Sequence, residues 1–210
     1  MSAADFASWA ALWRSAGAKG DPNDWHGRLV ALYSEPNRHY HNLRHLSECL
    51  AEFDAGRHLA RNPLAVELAL WFHDAVYDTR AKDNEERSAA LARECLLQAG
   101  LADRFGNPVT ELILATKHAA APNDPDAALL TDIDLSILGR EQSRFQEYET
   151  QIRAEYHWVP AEAFAAGRGK VLEQFLKRPH IYATDFFSEK YERQARANVE
   201  ASLNKLKTIS

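Results

Sequence analysis

Apolar positions recur with helical period along almost the whole chain. Tyr40, Leu43, Leu46, Leu50 and Phe53 step by three or four residues, which lays one apolar stripe along a helix. Asn62-Pro63 reads as the next helix start, with Asn as cap and Pro in the first turn, and this helix is expected to end near Ala75. Asp83 and Glu86 have the spacing of a capping box, and the helix they open is expected to run to about Ala99 and stop at Gly100. Asn107-Pro108 reads as another start, carrying Val109, Leu112, Ile113 and Thr116, with Thr116-Lys117-His118 at its end. Further helical stretches fit residues 141 to 157, 161 to 177 and 188 to 206, while 121 to 127 and 178 to 184 read as loops. No alternating strand, internal repeat or low-complexity linker interrupts the pattern. The expectation is an all-α fold: a single compact helical bundle over residues 1 to 210. Residues 1 to 33 would be a helical extension packed on it, and 188 to 206 the C-terminal helix.

Composition narrows the classes of function. At 210 residues, 46% hydrophobic and 26% charged, the chain can build one domain with a core. A formal charge of −5 argues against a general nucleic-acid or anionic-membrane binder. No window approaches about 18 unbroken apolar residues, so no membrane span is expected. The start MSAADFASWAALWRSAG lacks a basic segment ahead of its apolar run and does not read as a secretory signal. Cys49 and Cys95 fall inside helical patterns without motif spacing and read as reduced core residues. Trp9, Trp13 and Trp25 read as packing. A cytoplasmic protein is expected.

One stretch does not fit plain packing. The run LALWFHDAV (68 to 76) is apolar except for His73 and Asp74. Carbonyls at a helix C-terminus carry partial negative charge, so a carboxylate there is disfavoured, and burial disfavours it further. A cation must face Asp74: a lysine, an arginine or a metal. Other helical segments carry similar groups. His45 flanks its stripe beside Leu46, His118 ends the Pro108 helix, and Asp132 and Asp134 sit in an apolar setting. Imidazoles and carboxylates converging from several helices suit a divalent ion with open positions for water.

The phrases RHYHNLRHL (38 to 46), FHDAVYD (72 to 78), DNEERSA (83 to 89), ATKH (115 to 118), DIDLSILG (132 to 139) and RPHIYATDFFSEKYERQARANVE (178 to 200) resemble, in content and order, a bacterial group of predicted hydrolases. That group belongs to the HD superfamily of metal-dependent phosphohydrolases, and the resemblance covers residues 33 to 200. It implies an HD-type helical domain whose metal is held by a His, an adjacent His-Asp pair and a distant Asp. Here these are His45, His73, Asp74 and Asp134, with Asp132 the alternative last ligand. Two-metal relatives carry two further histidines between the pair and the last Asp. This chain has only His118 there, so the resemblance implies one divalent ion (Mn, Fe, Ni, Zn or Mg).

The implied activity is hydrolysis of a small phosphorylated metabolite, a phosphomonoester or phosphodiester and nucleotides included, by metal-activated water. His118 would act as acid/base, as a phosphate contact or as a partner of that water, and Lys117 would hold phosphate. Glu85 would activate water or orient a ligand. Substrate contacts fall to His41, Arg44 and Asn84, the last beside a helix N-terminus that suits an anion. Arg38, Arg80 and Lys82 are further nearby cations, read as solvated surface. Neither a membrane nor nucleic acid in general is an expected partner, and a homodimer is compatible with the chain. The alternative is a non-catalytic module that binds a nucleotide or partner in the same pocket.

Overall fold

The computed structural model describes residues 3 to 118 and 122 to 208. The protein is all-α, with no strand among the described residues. It divides into two compact units, Met1–Ile133 and Asp134–Ser210.

The first unit begins with α1 (Phe6–Ala16) and α2 (Pro22–Tyr33), followed by α3 (Leu43–Gly56) and a 3-10 turn. Then come α4 (Pro63–Phe72), α5 (Asn84–Gln98), α6 (Ala102–Ala115) and α7 (Pro125–Asp134), whose last residue falls across the division. α4 is the hub. Leu68 to Phe72 are each at most 1% exposed, which suits a helix that is apolar on every side. Its start is held twice. Asn62 Oδ1 accepts the Ala65 N–H at 3.2 Å, and the Asp126 carboxylate of α7 accepts the N–H groups of Arg61 and Asn62 at 2.7 and 2.9 Å. The Trp9 ring meets Trp71 edge-on at 5.1 Å, and Trp25 meets Phe72 at 6.0 Å, so the N-terminal helices cover α4 with aromatic area. Trp9, Trp13 and Trp25 are all buried and are packing residues.

α5 stops where the sequence suggests. Gly100 is left-handed (φ 70), its N–H reaches the Leu97 carbonyl at 3.1 Å, and the Leu101 N–H reaches the Leu96 carbonyl at 2.7 Å. Three expectations for this unit need correction. The capping box does not form: Asp83 makes no side-chain cap bond, and Glu86 instead pairs with the Lys117 ammonium. α6 starts at Ala102, not Pro108, and carries the proline inside it. An interior proline costs about 3 kcal/mol, but starting earlier buries Phe105 on the same face as Val109, Leu112 and Ile113. α7 begins at Pro125 inside the stretch read as loop, because Asp124 Oδ1 accepts the N–H groups of Asp126 and Ala127 at 3.0 Å.

The second unit comprises a 3-10 segment (Leu135–Gly139), α8 (Gln142–Glu155), α9 (Ala161–Lys177) and α10 (Asp185–Leu206). α10 starts three residues before the expected point because Thr184 caps it, accepting from the Phe187 N–H. Buried Asn198 on α10 donates to the carbonyls of Leu138 and Arg140, both at 2.8 Å, and pins the 3-10 segment. The Glu192 carboxylate accepts from Ile181 and Tyr182 and so ties the RPHIYAT loop to α10. Among the described residues, no helix is long and apolar enough to cross a membrane.

Candidate metal centre

α3 and α4 bring the central histidines together. Asn42 caps α3 by accepting the Arg44 N–H at 2.9 Å, which sets the register that turns Leu46, Leu50 and Phe53 inward along with His45. α4 ends at Phe72, and His73 follows as a C-cap that keeps helical dihedrals. Both imidazoles are 1% exposed. His45 Nε2 and His73 Nε2 stand 3.1 Å apart, and Asp74 Oδ2 lies 3.3 Å from the first and 3.2 Å from the second. Three donors held about 2.1 Å from one centre stand about 3.0 Å apart at octahedral angles and about 3.4 Å at tetrahedral ones. The observed triangle lies between these limits.

The protonation pattern also fits a cation. His73 Nδ1 is 2.8 Å from the Leu70 carbonyl, which can only accept, so Nδ1 carries the proton. In the neutral ring Nε2 then presents a lone pair, and it faces the Asp74 carboxylate. Two acceptors can share that point only if a proton or metal ion lies between them. An Nδ1–H bonded to a backbone carbonyl is a common way of orienting a metal-ligating imidazole. Burial opposes the charge on Asp74. With the rings protonated in place of a bound ion, the neighbouring His73 and His41, with hydrogen bonds from His45 and His73, outweigh that and hold its carboxyl well below the usual range.

The surroundings brace this triangle. The Arg38 side chain is fully buried and donates to the carbonyls of His41, Asp74 and Ala75 at 3.2, 2.5 and 2.9 Å. The carbonyls of Asp74 and Ala75, just beyond the end of α4, are therefore met by an arginine, while the Asp74 carboxylate faces imidazoles. The Tyr33 hydroxyl donates to the Trp71 carbonyl and accepts from the Asp74 N–H, each at 3.3 Å. Cys49, one turn after His45, places Sγ 3.7 Å from both ring nitrogens of His45. One donor atom each of His45, Cys49 and His73 lie within 4.8 Å of one another.

The other candidates are more spread out. The His41 ring stacks on Tyr77 at 4.0 Å and meets His45 edge-on at 5.8 Å. Arg44 is half exposed and pairs with Glu48 at 3.2 Å. Asn84 bonds the backbone of Asp78 in both directions at 3.0 Å, closing the loop ahead of α5. Lys117 pairs with Glu86, and Glu85 and Asp83 add to the negative field on it; the Glu86 bond raises the ammonium pKa. His118 lies three residues beyond the last residue of α6 in the left-handed region (φ 52). On α7, Asp132 is 1% exposed, and Asp134 is the half-buried final residue.

The sequence reads Cys49 as a core residue, gives no sign of Tyr33 at the site, and suggests solvated surface for Arg38, which is instead buried at 5% exposure. Cys49 was legible as the i+4 neighbour of His45 on one helix face. Arg38 and Tyr33 reach the site from a loop and from α2, and nothing local signals that. Comparison of the chain with protein-family models, curated proteins and solved structures returned no match.

Proposed function

We propose that the protein is a metal-dependent phosphohydrolase of HD type that acts on a small phosphorylated metabolite. The observation that carries this reading is the triangle of His45 Nε2, His73 Nε2 and Asp74 Oδ2, with edges of 3.1 to 3.3 Å and one imidazole oriented by the Leu70 carbonyl. In this reading Asp134, assigned by the resemblance, is the remaining protein ligand. A single divalent ion held there would supply Lewis acidity toward a phosphoryl oxygen and lower the pKa of water.

The chain's own groups do the rest. Asp74 offsets the ion's charge and, with Tyr33 and Arg38 fixing the backbone around it, holds the two imidazoles in place. His118 serves as acid or base toward the attacking or leaving oxygen. Lys117 takes the phosphate, because its pairing with Glu86 at the surface is readily exchanged for a phosphate dianion. The cytoplasm suits the two buried cysteines, which are not joined to each other.

The test is metal analysis of the purified protein, followed by a panel of phosphomonoesters, phosphodiesters and nucleotides with and without added metal. About one ion per chain and metal-dependent release of phosphate or of a nucleoside phosphate are expected. Failure to bind any divalent ion would overturn the reading. Metal binding without turnover of any panel member would point to a binding module instead.

A further inference from the structure

We propose that the cleft between α8 and α10 is a second binding site, one that takes a small organic anion with a phosphate or carboxylate head group. The proposal does not depend on the metal-dependent reading. Every residue that lines the cleft belongs to the second unit, and none is a proposed metal ligand.

The cleft has a volume of about 680 Å³, within the range of small-molecule sites. One face of α8, from Gln142 to Arg153, forms one wall, and one face of α10, from Gln194 to Leu206, forms the other. Phe145 is packed into the α8 wall, and Ala197 and Ala201 are exposed along the α10 wall. Asn198 donates to the Arg140 carbonyl just ahead of α8, and the Ser202 hydroxyl donates to the Glu149 carboxylate. The two walls therefore advance in the same direction. About one turn beyond Glu149 and Ser202 stand Arg153 and Lys205, so both cations fall at one end of the cleft. The Arg153 guanidinium lies 4.9 Å from the centroid of the Phe164 ring, and Ala161 and Phe164 bring the start of α9 to that same end. No side chain caps α9, so the N–H groups of its first turn are open to an anion.

Charge selects the ligand. Among the described residues that line the cleft, Glu149 is the one acid, and the Arg168 guanidinium matches it with a donated bond of 2.6 Å. Arg153 and Lys205 are left in excess. Arg153 donates to the carbonyls of Tyr156 and Val159 at 2.6 and 3.1 Å, which fixes its charge in place without cancelling it. Lys205 is exposed and forms no ion pair among the described residues. Glu162, in the first turn of α9, is exposed and lies outside the lining. Two cations and the positive end of a 17-residue helix favour an anionic head group. Nearer the other end, Gln142 and Gln146 offer amides to the rest of the ligand.

The experiment is calorimetric titration of the protein with phenylphosphonate, benzoate and benzamide, which share a phenyl body and differ in head group, before and after chelation of metal. One molecule of phenylphosphonate or of benzoate per chain should bind after chelation as before it, and benzamide should bind at least about 10-fold more weakly. The tighter of the two anions distinguishes a phosphate from a carboxylate site. Lys205→Glu should weaken anion binding roughly 10- to 100-fold, the worth of a hydrogen bond to a charged group. Ala201→Trp, which fills the cleft, should abolish it. Lys205 is exposed, so its variant decides alone if the tryptophan variant does not fold. Binding that disappears on chelation belongs to the metal centre and would overturn the proposal. Binding that survives either substitution, equal binding of benzamide, or no saturable binding of either anion would overturn it as well.

Discussion

His45 and His73 are 28 residues apart in sequence, yet their Nε2 atoms stand 3.1 Å apart, with each residue only 1% exposed. Burying two imidazoles nose to nose beside a carboxylate gives little packing energy, since these groups would otherwise be hydrated. On the metal-dependent reading, a cation among them would offset that cost. Asp74→Ala should therefore abolish metal binding and loosen the fold, while Asp74→Asn, which keeps the shape, should lose the metal with less effect on folding. Metal content and thermal melting on the same preparations check this. Full occupancy in Asp74→Ala would make the pair purely structural. The wild type should hold about one ion per chain, and a reproducible two would refute a single-metal site.

His118 has two separable properties. If it acts as acid or base, His118→Ala should lower turnover by roughly 10²- to 10⁴-fold with little change in metal content. Its left-handed backbone adds a structural effect, because alanine is strained at φ 52 and glycine is not. His118→Gly should thus match the alanine variant in turnover but melt at a higher temperature. Wild-type turnover in either variant would remove His118 from the mechanism, and joint loss of metal and activity would make it a ligand.

Arg38 holds three carbonyls with one rigid fork. Arg38→Ala should cost on the order of 3 kcal/mol in urea unfolding, since it leaves buried acceptors unpaired. Arg38→Lys should recover only part of that, because an ammonium cannot span the same carbonyls. A loss under about 1 kcal/mol in Arg38→Ala would show that water replaces the guanidinium.

Burial pushes the Tyr33 phenol up to about 12 from an ordinary 10.0. The folded state therefore holds this proton more tightly than the unfolded chain does. The stability linked to it is fully present below about pH 10 and is lost as pH rises toward about 12, a total of about 3 kcal/mol. Tyr33→Phe should flatten the alkaline decline in denaturation experiments run across that range. An unchanged slope would show that Tyr33 is not the group responsible.

Much of this protein was readable along the chain, because helices announce themselves locally. The stripe ending at Phe53, the Asn62-Pro63 start and the stop at Gly100 depend on contacts within a turn or two, and each stands where the pattern put it. Placing His73 and Asp74 at the end of an apolar helix was local as well, and it raised the question of a cation. What the chain could not decide by itself were matters of distance between segments. The interior proline of α6 is tolerated because burial of Phe105 outweighs a lost backbone bond, an energy balance set by neighbouring helices. Glu86 leaves its expected capping role for Lys117, 31 residues away. The carbonyls of Asp74 and Ala75, just past α4, are met by Arg38 from a loop, leaving the carboxylate of Asp74 to the imidazoles. Cys49 reads as an inert core residue in one dimension. Its place beside His45 follows from one helix face, but it lies near His73 only because α3 and α4 pack with that register, and packing register is a property of the folded unit, not of either helix.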